Sequence, residues 1–240
     1  MISRRRFLTT LMASAAGLSL SACGSGSNVT KRIKIIAMAE VDGKRVEGTS
    51  VTEITWRPRG DGGMNVDDVG EALLLELAGR GTVYVLSAVH QLNGLINTGI
   101  WDNQISYVLG VKGATTTDHL GPIEALQGRY PFKTTPSGVS FPLMVAFRDE
   151  REFRSVYRVE PEKFSQYFGA GVKFIGVDFE ITDEPVTEGV VVKRLPILLR
   201  HGGAAIESEI RDSKGDLLAY VDKPFKYKIG TETFFARGKR

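Results

Sequence analysis

RIKIIAMAEVDGKRVEGTSVTEITW, residues 32–56, is the stretch that decides the fold. Asp42-Gly43 joins two β-prone runs, and a two-residue Asp-Gly link between such runs is a strong signal for a type I′ hairpin turn. On the return run Val51, Glu53 and Thr55 alternate with Thr52, Ile54 and Trp56, which leaves one face more apolar than the other. Pro58 and the glycines at 60, 62 and 63 end it.

The same period of two recurs on the rest of the chain. Residues Ala72 to Leu77 and Thr82 to Leu86 predict a second hairpin around Gly79-Arg80-Gly81. Ser140 to Phe147 reads as a buried strand, and Val172 to Thr182 as a long strand stopped by Asp183-Glu184-Pro185. Residues 205–211 and 217–222 predict a further hairpin around Ser213-Lys214-Gly215. Helical patterns are fewer. Glu160-Pro161-Glu162 suits a helix start, since proline is tolerated in the first turn and acids there complement the helix dipole. Phe164, Tyr167 and Phe168 fall at helical offsets, Gly169 stops the run, and Phe164 and Phe168 are expected to pack on the strand 172–182. Thr117 and Asp118 are expected to cap a short helical turn reaching Leu126. Residues 89–115 fit neither pattern cleanly, and Trp101 to Val111 reads either as a strand or as the end of a helix. The expected fold is mainly β with a minor helical part: an antiparallel β-rich sandwich or open barrel with one or two short helices. Residues 31–200 are assigned to one globular domain, and 201–240 to a C-terminal hairpin or tail that either joins that domain or stands apart.

The chain before residue 31 has a different character. Ser3, Arg4, Arg5 and Arg6 precede an apolar run from Phe7 to Ala22, sixteen residues diluted by Ser, Thr and Gly. That is short for a membrane span and matches the plan of an export signal. Leu20-Ser21-Ala22-Cys23 closes the run, and Cys23 is the only cysteine. The stretch resembles the signal of a bacterial lipoprotein. The resemblance implies cleavage after Leu20-Ser21-Ala22 and acylation of Cys23 as the new N-terminus. Two or more acyl chains anchor stably where a single one does not. Ser3, Arg4, Arg5, Phe7 and Leu8 lie in SRRRFL, which resembles a twin-arginine signal. Thr9 stands where that signal usually has lysine, and general secretion signals also carry arginines. Residues 23–30 form a Gly-Ser linker behind the lipid, whose mean reach is roughly 15 Å.

Removing residues 1–22 takes away three arginines and no acid, which leaves 28 charges of each sign in the mature chain. A neutral domain has no overall field for nucleic acid, and none is expected as a partner. With Cys23 consumed, no disulfide chemistry is left.

RYPF at 129–132, FPLMVAFRD at 141–149 and SVYRVEPEKFSQYFGAGVKFIGVDFEITDEPVTEGVVVKRLPIL at 155–198 resemble a family of proteobacterial lipoproteins with no assigned activity. The hairpin at 33–57 fits the same family. The resemblance implies export and membrane attachment and supplies no mechanism.

Candidate sites are few. The histidines are His90, His119 and His201, none in a metal-binding frame. Asp118-His119 sits at a turn, as an acid–base pair or, more simply, a helix cap. Arg200-His201-Gly202-Gly203 resembles an esterase oxyanion loop, but no GxSxG turn accompanies it. Asp61, Asn65, Asp67, Asp68 and Glu71 put oxygen ligands among glycines as calcium requires, although the EF-hand spacing fails, and a solvated turn is the simpler reading. Asp149, Glu150 and Glu152 alternate with Arg148, Arg151 and Arg154 as a charge-balanced loop. Asp178 and Glu180 share a strand face, either as a carboxylate pair or as a solvent face. Trp56, Trp101 and Tyr130 line a groove or fill the core, and the core is the commoner place for aromatics.

No catalytic residue, cofactor ligand or metal ligand is assigned, and no cofactor is expected. The expected function is that of a lipid-anchored envelope protein facing the periplasm, a binding or scaffold module with an envelope protein as a partner. The alternative is an exported hydrolase, or a cofactor- or metal-binding protein, carried by the twin-arginine route.

Overall fold

Asp42 and Gly43 both take positive φ, 50° and 77°, as a type I′ turn demands. In this computed structural model they join β1 (Val29–Val41) to β2 (Lys44–Pro58), with Val41 opposite Lys44. The structure describes residues 27–90, 96–98, 100–111, 115–133, 142–152, 155–200, 206–208, 219–220, 223–224, 227–229 and 234–236. Cys23, the export motif from Ser3 to Leu8 and the cleavage stretch Leu20–Ala22 lie outside them.

The further strands are β3 (Met64–Glu71), β4 (Leu73–Glu76), β5 (Thr82–His90), β6 (Ile96–Thr98), β7 (Arg129–Pro131), β8 (Pro142–Phe147), β9 (Val156–Val159), β10 (Val172–Thr182), β11 (Ile206–Ser208), β12 (Ala219–Tyr220), β13 (Lys223–Pro224), β14 (Tyr227–Ile229) and β15 (Phe235–Ala236). Among the described residues the short α-helices are α1 (Ile100–Val108), α2 (Leu120–Ala125), α3 (Phe164–Phe168), α4 (Val190–Arg194) and α5 (Ile197–Arg200). One sheet has the order β15-β3-β2-β1-β10-β7, and the other runs β4-β5-β8-β9 with β6 paired to β5. All pairings are antiparallel. The fold is a β-rich sandwich, and among the described residues neither sheet closes into a barrel.

Alternation builds the layer between the sheets. Ile33, Ile35, Ala37 and Ala39 from β1, Ile54 and Trp56 from β2, and Val177 and Phe179 from β10 meet Leu73 and Leu75, Val83 and Val85, Met144 and Ala146 from the other sheet. The second sheet is buried on its far side as well. There Tyr84, Leu86, Leu143, Val145 and Val156 pack with Val191 of α4, Leu195 just after it, Leu198 of α5 and Phe234. Burial on both faces explains why PLMVAF in β8 is apolar throughout instead of alternating. β2 passes close to β4 at Gly48. A Cβ on Gly48 would run into the carbonyl oxygen of Leu74, so the glycine sets the approach.

The expected hairpin at 72–86 is present as β4 and β5, and the strands at 142–147 and 172–182 stand where their patterns place them. Pro161–Lys163 forms a 3-10 turn leading into α3, whose Phe164 is buried and stacks 5.0 Å from Phe174 of β10. Trp101 lies in a helix, α1, which resolves the ambiguous segment.

Three expectations are corrected. Residues 64–71 are a strand and not a solvated turn. β2 supplies their ladder partners from Pro58↔Met64 to Glu53↔Val69, and backbone pairing overrides the poor β propensity of Asn65, Asp67 and Asp68. The turn before α2 is held by Thr116, one residue ahead of the expected caps: the His119 ring accepts the Thr116 N–H at Nδ1, 2.9 Å away. In the tail, Ile206–Ser208 pairs with Tyr227–Ile229 instead of 217–222, and Ala219–Tyr220 pairs with Lys223–Pro224. The tail also reaches the main body, because β15 extends the first sheet beside β3 and Phe234 is fully buried.

Candidate functional site

The acids of residues 60–71 do not converge. Asp61 bonds Arg59 and the Gly63 N–H in the hairpin tip, and Asp67 pairs with Arg57 across the strands. Glu71 is buried and accepts the N–H groups of Gly189 and Val191, the latter at 2.9 Å, so it ties β3 to the start of α4. Among the described residues no three potential metal ligands of the His, Cys, Asp or Glu type gather.

Asp68 behaves differently. It stands opposite Ile54 in the ladder, on the side that faces the interior. Asp102 of α1 approaches it there. Trp56 donates its indole N–H to Asp102 Oδ1 at 2.6 Å, and the Thr115 side chain adds a second hydrogen bond. Both carboxyl groups are half-buried. Burial pushes the pKa of Asp102 up, against the hydrogen bonds from Trp56 and Thr115. Burial also raises Asp68, and the charge of Asp102 adds to that rise. Burial therefore opposes ionisation of both carboxyl groups, and the charge of Asp102 opposes that of Asp68 further. Such a pair can donate and accept protons, which is the equipment of acid–base chemistry.

A second feature is a cleft of about 320 Å³ where β1 begins. It arises because the strands differ in length. β10 stops at Thr182, opposite Arg32, while β1 continues back to Val29 with β2 as its partner. Lys31, Arg32, Glu53, Gln127, Ile181 and Asp183 line the cleft. Lys31 donates to the Leu126 carbonyl at 3.4 Å, and Arg32 Nε bonds Glu53 at 2.9 Å.

The other candidates have structural places. Trp56 and Trp101 are core residues, and half-buried Tyr130 stacks on Phe179 at 5.4 Å. Asp178 faces outward and takes Arg129 Nε at 2.8 Å, and Glu180 lies opposite Arg129 in the ladder, so the two acids are a solvent face. His119 closes its turn through Thr116 and is not engaged with Asp118. In the loop after β8, Asp149 binds Arg151 as charge balance predicts. Glu150 leaves that pattern. It accepts the Tyr84 hydroxyl at 2.9 Å and pairs with Arg194 at 2.8 Å, which holds α4 on the second sheet. Burial first, and the hydrogen bond to Glu150 second, push the Tyr84 phenol pKa up strongly. Arg154 and His201 to Gly203 lie outside the described residues, as does the burial of His90 and Arg200.

Sequence reading missed Asp102 and the inward turn of Asp68. The signal for Asp68 is strand parity: once 64–71 pairs with β2, Val66, Asp68 and Gly70 share a face with Trp56, Ile54 and Thr52. Among the described residues no helix is long and apolar enough to cross a membrane. No protein-family model, curated protein or solved structure matches the chain.

Proposed function

We propose that this protein is a bacterial lipoprotein, held in the cell envelope through acylated Cys23 and facing the periplasm, where it serves as a non-enzymatic binding or scaffold module. The observation that carries the reading is Leu20-Ser21-Ala22-Cys23, set at the end of an apolar run and only six residues ahead of Val29, where β1 begins. A tether this short holds the sandwich against the membrane, with β1 and its cleft nearest the lipid. An envelope protein is the partner that a body so placed would meet. Intact mass of the membrane-extracted protein should show Cys23 as an acylated N-terminus, and Cys23→Ala should remain unprocessed at this site. A lipid-free mature form starting elsewhere would overturn the reading. Changing Arg4 and Arg5 together to lysine, with Arg6 changed in parallel, assigns the route: blocked export means the twin-arginine reader, and unimpaired export means general secretion.

One observation favours a second reading, an exported hydrolase. The half-buried Asp68 and Asp102 with raised pKa values are suited to proton transfer. A screen of ester, glycoside and peptide substrates tests it. Turnover that Asp102→Asn abolishes would support the enzyme, and turnover indifferent to both Asp68→Asn and Asp102→Asn would remove it.

A further inference from the structure

We infer that the cleft between the start of β1 and the end of β10 binds the zwitterionic headgroup of a membrane phospholipid, its phosphate at Lys31 and its amine at Asp183. The source of this ligand rests on the lipid-anchor reading; the chemistry of the cleft does not.

The cleft is polar and carries both signs. Lys31 shares its strand face with the buried Val29 and Ile33, and its ammonium is part-buried where it meets the Leu126 carbonyl. Its bond to the Leu126 carbonyl is 3.4 Å, longer than a well-made hydrogen bond, and an ammonium has two further donors. Arg32 is paired with Glu53 through Nε. A partly desolvated cation gains most from an anion that can accept several of these donors at once, and phosphate does so. On the other side, the exposed Asp183 has no ion-pair or hydrogen-bond partner among the described residues. A bare phosphate would leave this acid unmatched beside it. A molecule with an amine a few bonds from its phosphate satisfies both ends.

Size and place agree. A cleft of about 320 Å³ is at the small end of ligand sites, suited to a headgroup without its acyl chains. Thr30 lines the cleft and is seven residues from Cys23, roughly 15 Å for a flexible tether. The headgroup layer of one leaflet is about 5–8 Å thick. An anchored body therefore keeps the cleft at the headgroups, where the tether raises the effective concentration. Occupation would fix the end of the sandwich on the membrane and set which face meets a partner.

Soluble glycerophosphoethanolamine is the probe, titrated by calorimetry into the full-length acylated protein in non-zwitterionic detergent. Saturable binding is expected, with inorganic phosphate weaker. Lys31→Gln and Asp183→Asn should each weaken the probe by about tenfold or more, the worth of one charge-assisted contact. Lys34→Gln, outside the cleft and paired with Glu184, should leave it unchanged. Unaltered melting of each variant shows that the fold survives. No saturable binding, binding indifferent to Lys31→Gln, or phosphate that binds as tightly and ignores Asp183→Asn would overturn the inference. The Cys23→Ala protein separates the two ideas. Probe binding retained there with no acylation at Cys23 in the wild type would sink the anchor and keep the site. An acylated wild type that ignores the probe would do the reverse.

Discussion

Asp102 shows how a single charge is set by its surroundings. Its folded pKa lies above that of the unfolded chain, about 3.9, because burial penalises the carboxylate. The folded state therefore holds its proton more tightly than the unfolded state does. Stability falls as pH rises from the unfolded value to the raised folded one, and then levels. Asp102→Asn keeps an oxygen for the Trp56 indole and has no proton to lose. Urea midpoints of both proteins from pH 4 to pH 8 should show the variant gaining on the wild type through that window. A pH-independent difference would mean that Asp102 does not titrate as described. Glu71 accepts two backbone donors, the N–H groups of Gly189 and Val191. Losing it would leave the buried Val191 N–H without this partner.

Among elements, α3 on β10 is the contact most open to test. Phe164 touches Phe168 at 5.3 Å and Phe174 at 5.0 Å and is buried. Phe164→Ala should lower stability by about 3–5 kcal/mol. Glu162→Ala should cost no more than about 0.3–1 kcal/mol of dipole interaction. Thermal melting decides, and equal midpoints for Phe164→Ala and wild type would place the helix outside the core. Two glycines separate backbone conformation from close approach. Gly48→Ala meets the Leu74 carbonyl where β2 passes close to β4, an overpacking cost of about 1–3 kcal/mol. Gly43→Ala meets nothing, yet its φ of 77° strains any L side chain by about 1 kcal/mol. Repacking at Leu73 should rescue neither, because the first clash is with backbone and the second is no clash at all.

At the scale of the molecule, Phe234 to Ala236 join the tail to the body. Phe234 seals the far side of the second sheet against Tyr84 at 6.0 Å and Phe147 at 6.2 Å. The Ala72 N–H also donates to its carbonyl at 2.8 Å. Phe234→Ala should cost about 3–5 kcal/mol, as for a core aromatic. It should also raise the binding of a hydrophobic dye, because an apolar sheet face is uncovered. A chain ending at residue 200 should show both effects more strongly. Unchanged melting and dye binding would make the tail an appendage.

The β class and several strand positions were legible locally. Asp42-Gly43 sets a turn through its own φ values, and alternation from Val51 to Trp56 reports which face leaves water. The proposed anchor at Cys23 rests on the sequence alone. Periodicity does not say which strand supplies hydrogen bonds, so Asn65 to Glu71 looked like a loop until β2 lay beside it. Nor does it say what stands across a space. Asp102 meets Asp68, Glu150 meets Tyr84 and Arg194, and Lys31 and Asp183 share a cleft because residues far apart in the chain are brought together by packing. Charge and burial at those places are properties of the neighbours, which only the tertiary structure supplies.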